Sequence, residues 1–355
     1  MRDESLRFLE ELIKAPSPSG YEGEVARLYR DYARPYADGI TTDVHGNVTV
    51  ILNPDAPVKI MLAGHMDEIG FIIHDIGEEG LLHFMAVGDH DASVPLGQTV
   101  WVHGRRRVVG AVGRKAIHLL GPGEGQGKPK MGEMWIDIGA TSRAEAEEVV
   151  RLGDIVTFQR GFQPLLGDRA VARAFDNKAG LFVVAEAVRL LREEGGLLPE
   201  VGVYAVGTVQ EELGGRGART AAARIGPVTG LAVDMEHAID YPGVTGAEFG
   251  RLEMGKGPSL LRGANASPVV FDLLRRAAEE EGIPYQLRIA PGSTPTDANR
   301  IQTAGDGVAS GLVGIPLRYM HTPCEVVSLT DLENAARLLA AYCRRVSGET
   351  SFVPW

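Results

Sequence analysis

The chain has 355 residues, with 36 lysines and arginines against 47 aspartates and glutamates, a net charge of -11 with histidine neutral, and 44% apolar residues. That length calls for one large or two moderate cores, and the acidic balance argues against nucleic acid or an anionic membrane surface as a partner. No apolar run approaches the roughly 20 residues of a membrane span, the opening Met1-Arg-Asp-Glu-Ser-Leu6 puts acids where a secretory signal has a basic region, and two cysteines, Cys324 and Cys343, make no disulfide framework. A cytoplasmic protein is expected.

Leu6, Leu9, Leu12 and Ile13 recur at helical spacing and predict a helix over 3–14, stopped by Pro16-Ser-Pro-Ser-Gly20. A second helix is expected over about 22–32. Residues 43–52 read as a hairpin or strand pair turning at Gly46-Asn47, and 58–63 as a buried strand leading into Gly64-His-Met-Asp-Glu-Ile-Gly70. From 71 to about 165 the texture changes. Short β-like runs at 71–74, 81–86, 99–103, 108–113 and 155–158 alternate with glycine-rich turns, with one helix expected over 142–152 and a mobile loop over 121–130. Such a stretch suits a small β domain of its own. After Asp168 the α/β rhythm returns, with helices expected at 178–194, 267–282 and 329–347 and strands at 201–209, 230–235 and 285–289. The fold class is α/β: a sheet flanked by helices, built from 1–70 and 166–355 and interrupted by a β insert at 71–165.

The chemistry concentrates where apolar strands end. Strand 201–209 runs into Glu211-Glu212 and a glycine-rich turn that opens a helix. Consecutive strand residues face opposite ways, so one carboxylate can bind a cation while the other handles a proton. An isolated acid pair is ordinarily solvated surface, but this one has company. His65 and Asp67, two apart after a buried strand, share a face; Asp176 precedes a helix; Asp234 ends a strand; His321 follows a short strand-like run. Each alone has a bland role: a helix cap for Asp176, a strand-end ring for His65, a turn former for Asp234, a loop histidine for His321. Together they bring two imidazoles and several carboxylates to the carboxyl ends of strands, where open α/β sheets gather ligands. A mixed His and carboxylate set suits zinc, cobalt or manganese, and there are enough acids for two ions bridged by one carboxylate.

Five segments, Ala63-Gly-His-Met-Asp-Glu-Ile-Gly-Phe71, Ala174-Phe-Asp-Asn-Lys178, Val209-Gln-Glu-Glu-Leu-Gly214, Ala232-Val-Asp-Met235 and Arg318-Tyr-Met-His-Thr-Pro-Cys-Glu-Val326, resemble in order the motifs of the M42 family, the tetrahedral aminopeptidases. These are dinuclear metallo-aminopeptidases of the glutamyl and deblocking type. The resemblance implies a mixed-sheet, zinc-exopeptidase-like catalytic domain with an inserted all-β dimerisation domain. It implies that His65 and Asp234 hold one metal, Glu212 and His321 the other, and that Asp176 bridges them, often ahead of a cis peptide. Glu211 would be general base and acid, and Asp67 would orient His65. The two divalent ions would be zinc, with cobalt or manganese as alternatives. The implied reaction removes N-terminal residues from short peptides by a metal-bridged hydroxide. The stretch Ile289-Ala-Pro-Gly-Ser-Thr-Pro-Thr-Asp-Ala298 resembles a loop beside the site, making Thr296 and Asp297 candidates for the substrate wall, with Pro295 a departure from the compact form. A structural role is the ordinary one for Arg262, Arg288 and Arg318; were one to line the first subsite, acidic side chains would be preferred. The family's dimers build tetrahedral dodecamers, so a homo-oligomer is implied. Two rivals stay open: another dinuclear hydrolase, such as a deacylase or carboxypeptidase, and a non-catalytic metal-binding scaffold.

Overall fold

The strand Val58–His65 runs through the middle of the main sheet, with Val201–Thr208 parallel to it on one side and Thr229–His237 parallel on the other. Ala309–Arg318 continues the parallel set. Antiparallel strands finish both sides: Val48–Leu52 and Gly39–Thr42 beyond Val201–Thr208, and Glu325–Ser328, Arg169–Ala172 and Gln163–Pro164 beyond Ala309–Arg318. Ser259–Gly263 branches from Ala309–Arg318 and pairs with Gln286–Ala290, giving eleven strands among the described residues. The sheet is mixed, as expected. The computed structural model describes residues 1–121 and 127–355; of the stretch expected as a mobile loop, 122–126 lie outside the described residues.

The central strands are apolar on both faces because helices cover both. In Val58–His65 the two-residue period sends Ile60 and Leu62 into one core cluster and Met61 and Ala63 into another. The first cluster is filled by the helix Phe175–Glu194, whose Leu181, Phe182, Val183, Val184 and Val188 are wholly buried, and by Asp3–Lys14 and Leu329–Arg345. The second takes Ala218, Ala221 and Ala222 of Arg216–Ile225. Each buried large apolar side chain is worth about 1.5–3 kcal/mol. One buried polar cluster interrupts the first core. Glu186 accepts from Arg189 Nη2 at 2.9 Å and from Ser5 Oγ at 2.9 Å, and Tyr32 also donates to it, so the two N-terminal helices are tied to the long one.

Gly64 marks where that helix presses on the strand. A Cβ built there would lie 2.7 Å from the backbone carbon of Gly180 and from the nitrogen of Leu181. Backbone cannot swing aside as a side chain can, so Gly64→Ala is expected to cost about 1–3 kcal/mol. A thermal melt should show Tm lowered on the order of 5 °C; an unchanged Tm would mean that the helix can retreat freely.

Several elements differ from expectation for local reasons. The hairpin lies earlier, pairing Gly39–Thr42 with Val48–Leu52. Asp43 Oδ1 accepts from the amides of His45, Gly46 and Asn47, so 43–47 make the turn rather than an arm. The helix expected over 142–152 is only Arg143–Glu147, started by Ser142 Oγ accepting from Glu145 N. Ser259–Gly263, hidden among Pro258, Gly257 and Gly263, was not foreseen.

The chain divides into two units: Met1–Asp67 with Gly161–Met320 and Cys324–Trp355, and Glu68–Arg160 with His321–Pro323. The second contains a closed barrel, all antiparallel, in the order Gly70–Ile76, Leu82–Val87, Met134–Asp137, Arg107–Arg114, Thr99–His103, Ile155–Phe158. Closure leaves none of these strands as an open edge. Phe71 sits in its core, edge-on to Phe84 and Phe158 with ring centroids 5.0 and 5.5 Å away. Among the described residues no helix is long and apolar enough to cross a membrane.

Candidate metal centre

Parallel strands put their carboxyl ends on one side of a sheet, and three of them deliver the site. His65 ends Val58–His65 directly opposite Thr208, the last residue of Val201–Thr208, and Asp234 lies near the end of Thr229–His237. Asp176 enters from the start of Phe175–Glu194. There Ala174 has φ 59° and the Asp176–Asn177 peptide is cis, as the motif led us to expect, while Asp176 N donates to Glu325 Oε2 at 3.1 Å. His65 Nε2 is 3.4 Å from Asp176 Oδ1, 3.7 Å from Asp234 Oδ1 and 3.9 Å from Glu211 Oε2. His65, Asp176 and Asp234 each offer a ligand atom within 4.8 Å of the others, and Asp176 and Glu212 do the same.

On the far side of the ring, His65 Nδ1 is 3.1 Å from the main-chain oxygen of Asp67 and 3.5 Å from its Oδ1. The carboxylate of Asp67 has further partners. It accepts from the amides of Glu211 (3.0 Å) and Glu212 (3.1 Å) and from Ser19 Oγ (2.6 Å). Ser17 Oγ meanwhile donates to Met66 O at 2.8 Å. The Pro16–Gly20 stretch therefore does more than stop a helix: its serines brace the strand end that carries His65. Sequence reading missed Ser17, Ser19 and Glu325, and no spacing rule ties them to the site.

So many buried acids around one imidazole distort every titration. Burial alone would lower His65, but Asp176, Asp234 and Asp67 outweigh it and hold the ring well above its ordinary pKa. Burial, then the charges of Asp234, Asp297 and Glu212, push Glu211 up to about 10 against the pull of His65. Asp234 is raised by burial, with Asp176 adding to it. Clustered carboxylates of this kind are stabilised by cations. The donors, imidazole nitrogen and carboxylate oxygen with no thiolate among them, fit a borderline divalent ion such as zinc, manganese or cobalt.

Asp297 joins these acids. It is 2% exposed, its Oδ2 accepts from Thr208 Oγ1 at 2.5 Å, its Oδ1 has no hydrogen-bond partner, and burial pushes its pKa up to about 7. Thr296 lies one residue outside the helix Asp297–Gln302 with its hydroxyl 2.9 Å from that of Thr294. The arginines are committed to structure: Arg318 to Asp240 through two 2.8 Å bonds, Arg288 to the carbonyl of Phe249, Arg262 over the ring of Phe271. His321, with φ 60°, belongs to the three residues that group with the barrel unit. Cys324 and Cys343 form no disulfide.

A mixed sheet with buried His and carboxylate groups at the ends of its parallel strands defines an α/β protein equipped to hold cations. The chain belongs to the M42 peptidases: the family described as M42 glutamyl aminopeptidase matches residues 46–338. A lysyl aminopeptidase of Pyrococcus furiosus is 34% identical, covering 94% of this chain and 95% of that protein. Among solved structures, a TET aminopeptidase of a Thaumarchaeota archaeon from marine sediment is 37% identical with a TM-score of 0.93, covering 98% of each chain. The TET1 peptidase of Pyrococcus horikoshii, which can assemble into a tetrahedron or a large octahedral shell, is 28% identical with a TM-score of 0.85, covering 96% of this chain and 100% of that one. The protein is therefore a peptide hydrolase, an aminopeptidase by its family and the names of its relatives.

Proposed function

We propose that this aminopeptidase is metal-dependent and removes N-terminal residues from short peptides. The observation that carries the proposal is the buried trio His65, Asp176 and Asp234 with Glu211 at its edge, 3.9 Å from the imidazole. His65 and Asp234 would hold one divalent ion, Glu212 and His321 a second, and Asp176 would serve both. His321 follows Met320 by one peptide bond, at the end of the chain segment that carries Ala309–Arg318. Zinc is the first candidate, with cobalt or manganese suited to the same donors. When bound, such ions acidify an attacking water and polarise the scissile carbonyl.

Glu211 takes the proton from that water and returns it to the departing amine. Its carboxylate is set apart for proton work because its neighbour Glu212 supplies the ligand. Asp67, through its main-chain oxygen and its carboxylate, keeps the His65 ring turned toward Asp176 and Asp234. The free N-terminal amine of a peptide is held among the remaining carboxylates, which favours exopeptidase action, and Thr296 and Asp297 form part of the substrate wall. Residues 71–165 act as a dimerisation domain, and 1–70 with 166–355 as the catalytic part. The assembly is a tetrahedral dodecamer whose interior admits short peptides, in keeping with the tetrahedral form of the Pyrococcus horikoshii relative.

The deciding experiment is hydrolysis of leucyl, glutamyl, lysyl and N-acetyl-leucyl anilides by metal-stripped, zinc-loaded and cobalt-loaded protein. Free-amine substrates should be cut, only with metal restored, by a particle twelve times the mass of the chain. Cleavage of the blocked substrate would shift the assignment to a deacylase or endopeptidase, and full activity after stripping would end the metal proposal.

A further inference from the structure

Beyond Thr208 the strand is over, and residues 209–212 have no ladder to satisfy their amides. Buried backbone N–H groups need acceptors from somewhere. Here four consecutive amides are each met by a side-chain oxygen. Val209 N donates to Asn47 Oδ1 at 3.0 Å, Gln210 N to Glu22 Oε1 at 3.1 Å, Glu211 N to Asp67 Oδ1 at 3.0 Å and Glu212 N to Asp67 Oδ2 at 3.1 Å. The three acceptor residues are 1%, 7% and 0% exposed. Gln210, in the middle, has φ 55°. A non-glycine residue holds that left-handed conformation at a cost of roughly 1–2 kcal/mol, and only where its surroundings dictate it. A Cβ on Gly217 would lie 2.3 Å from Asn47 Oδ1 and 2.5 Å from Val209 N, so the turn closes around the bracket with no slack.

We infer that Glu22 is a positioning residue for the reaction, holding the left-handed Gln210 peptide so that Glu211 and Glu212 project as base and ligand. Its role rests on the proposed functions of those two glutamates. Asp67 bonds to their amides directly but also touches His65, so its loss would disturb several things at once. Glu22 is cleaner. Its Oε1 accepts from Gly20 N (2.8 Å) and Gln210 N, tying the N-terminal turn to the one peptide that sets the direction of both acids. Without that acceptor Gln210 relaxes toward ordinary backbone and the next residue, Glu211, moves with it. Displacements near 1 Å in a catalytic group can cost on the order of 100-fold in rate.

The test separates reach from charge. Glu22→Asp keeps the charge but withdraws the carboxylate by one methylene, whereas Glu22→Gln keeps an acceptor oxygen at full length. For the aspartate variant, kcat on a free-amine anilide should fall about 10–100-fold, with KM within about twofold and the visible absorption of the cobalt-loaded protein altered, since Glu212 shifts too. The glutamine variant should return kcat to within about threefold and show the wild-type cobalt spectrum. If the aspartate variant does not fold, Glu22→Met, matched in length but without an acceptor, takes its place. Wild-type kcat and spectrum in the shortened variant, or equal damage in the glutamine variant, would overturn the role of Glu22 while leaving the metallopeptidase assignment intact. A wild-type protein that cuts nothing yet binds cobalt still decides the question through the spectra. One that neither cuts nor binds cobalt overturns both.

Discussion

Glu211→Gln is expected to lower kcat by about 1,000-fold, within the usual span for removing a general base, while KM and bound metal stay within about twofold of wild type. The amide matches the carboxylate in shape and keeps the backbone bond to Asp67 Oδ1, so Glu212 is not displaced. What it cannot do is accept a proton. The same substitution makes a second prediction about the metal-free protein. Burial and neighbouring acids push Glu211 up to about 10, so the folded chain binds a proton there more tightly than the unfolded chain does. A group raised in this way contributes stability below its unfolded pKa, near 4.5, and loses it as pH rises toward the folded value. The Tm of the metal-free wild type should therefore decline between about pH 5 and 10, and Glu211→Gln should flatten that decline. An equal loss of metal and activity in the variant would instead make Glu211 a ligand, and an unchanged pH slope would place the titrating charge elsewhere in the cluster.

These acids were legible in the sequence because of where they stand, not what they are. Glu211 and Glu212 follow closely on a strand whose eight residues, Val201–Thr208, are all buried, and His65 closes another whose last six are. Carboxylates there have no packing role to fill. Asp176 was visible for a similar reason, as a polar break before a helix buried along most of its length. The supports were not legible. Glu22 sits 188 residues from the amide it holds and reads as an ordinary acid near a helix start; Ser17 and Ser19 read as a helix stop. Glu22 and Ser17 bind main-chain groups, which leave no trace in residue type, and Ser19 binds a carboxylate 48 residues away, so no pattern in the sequence pairs them. Asp67 was expected to orient His65; its closest approach to the ring is through its main-chain oxygen, and its carboxylate also accepts from the amides of Glu211 and Glu212, which nothing in the sequence announces. The sheet's middle was read correctly from buried apolar runs. Its margins were less clear, because the Asp43 side chain turns 43–47 on itself and Ser259–Gly263 lies among residues that usually break strands.

Asp176→Ala should empty the centre more completely than any other single change, because among the described residues Asp176 is the one that offers a ligand atom within 4.8 Å both of His65 with Asp234 and of Glu212. On the proposed ligand set, removing Asp234 would take one donor from one ion, whereas removing Asp176 would take one from each. Metal analysis after gel filtration should find well under one ion per chain in Asp176→Ala and about one in Asp234→Ala, with activity down at least 1,000-fold in the first. Stability separates a lost ligand from a broken fold. Binding at 100 times Kd stabilises a protein by about 2.7 kcal/mol, so chelation should lower the wild-type Tm and excess zinc should restore it. Metal-free Asp176→Ala should melt close to metal-free wild type: the substitution gives up the contact with His65 but relieves the repulsion with Asp234, and it leaves the bond from the residue 176 amide to Glu325 in place. It should also gain nothing from added zinc. A variant that retained two ions would deny Asp176 the shared position, and one that melted far below the metal-free wild type would make its pairing with His65 a structural contribution that relief of the crowding does not offset.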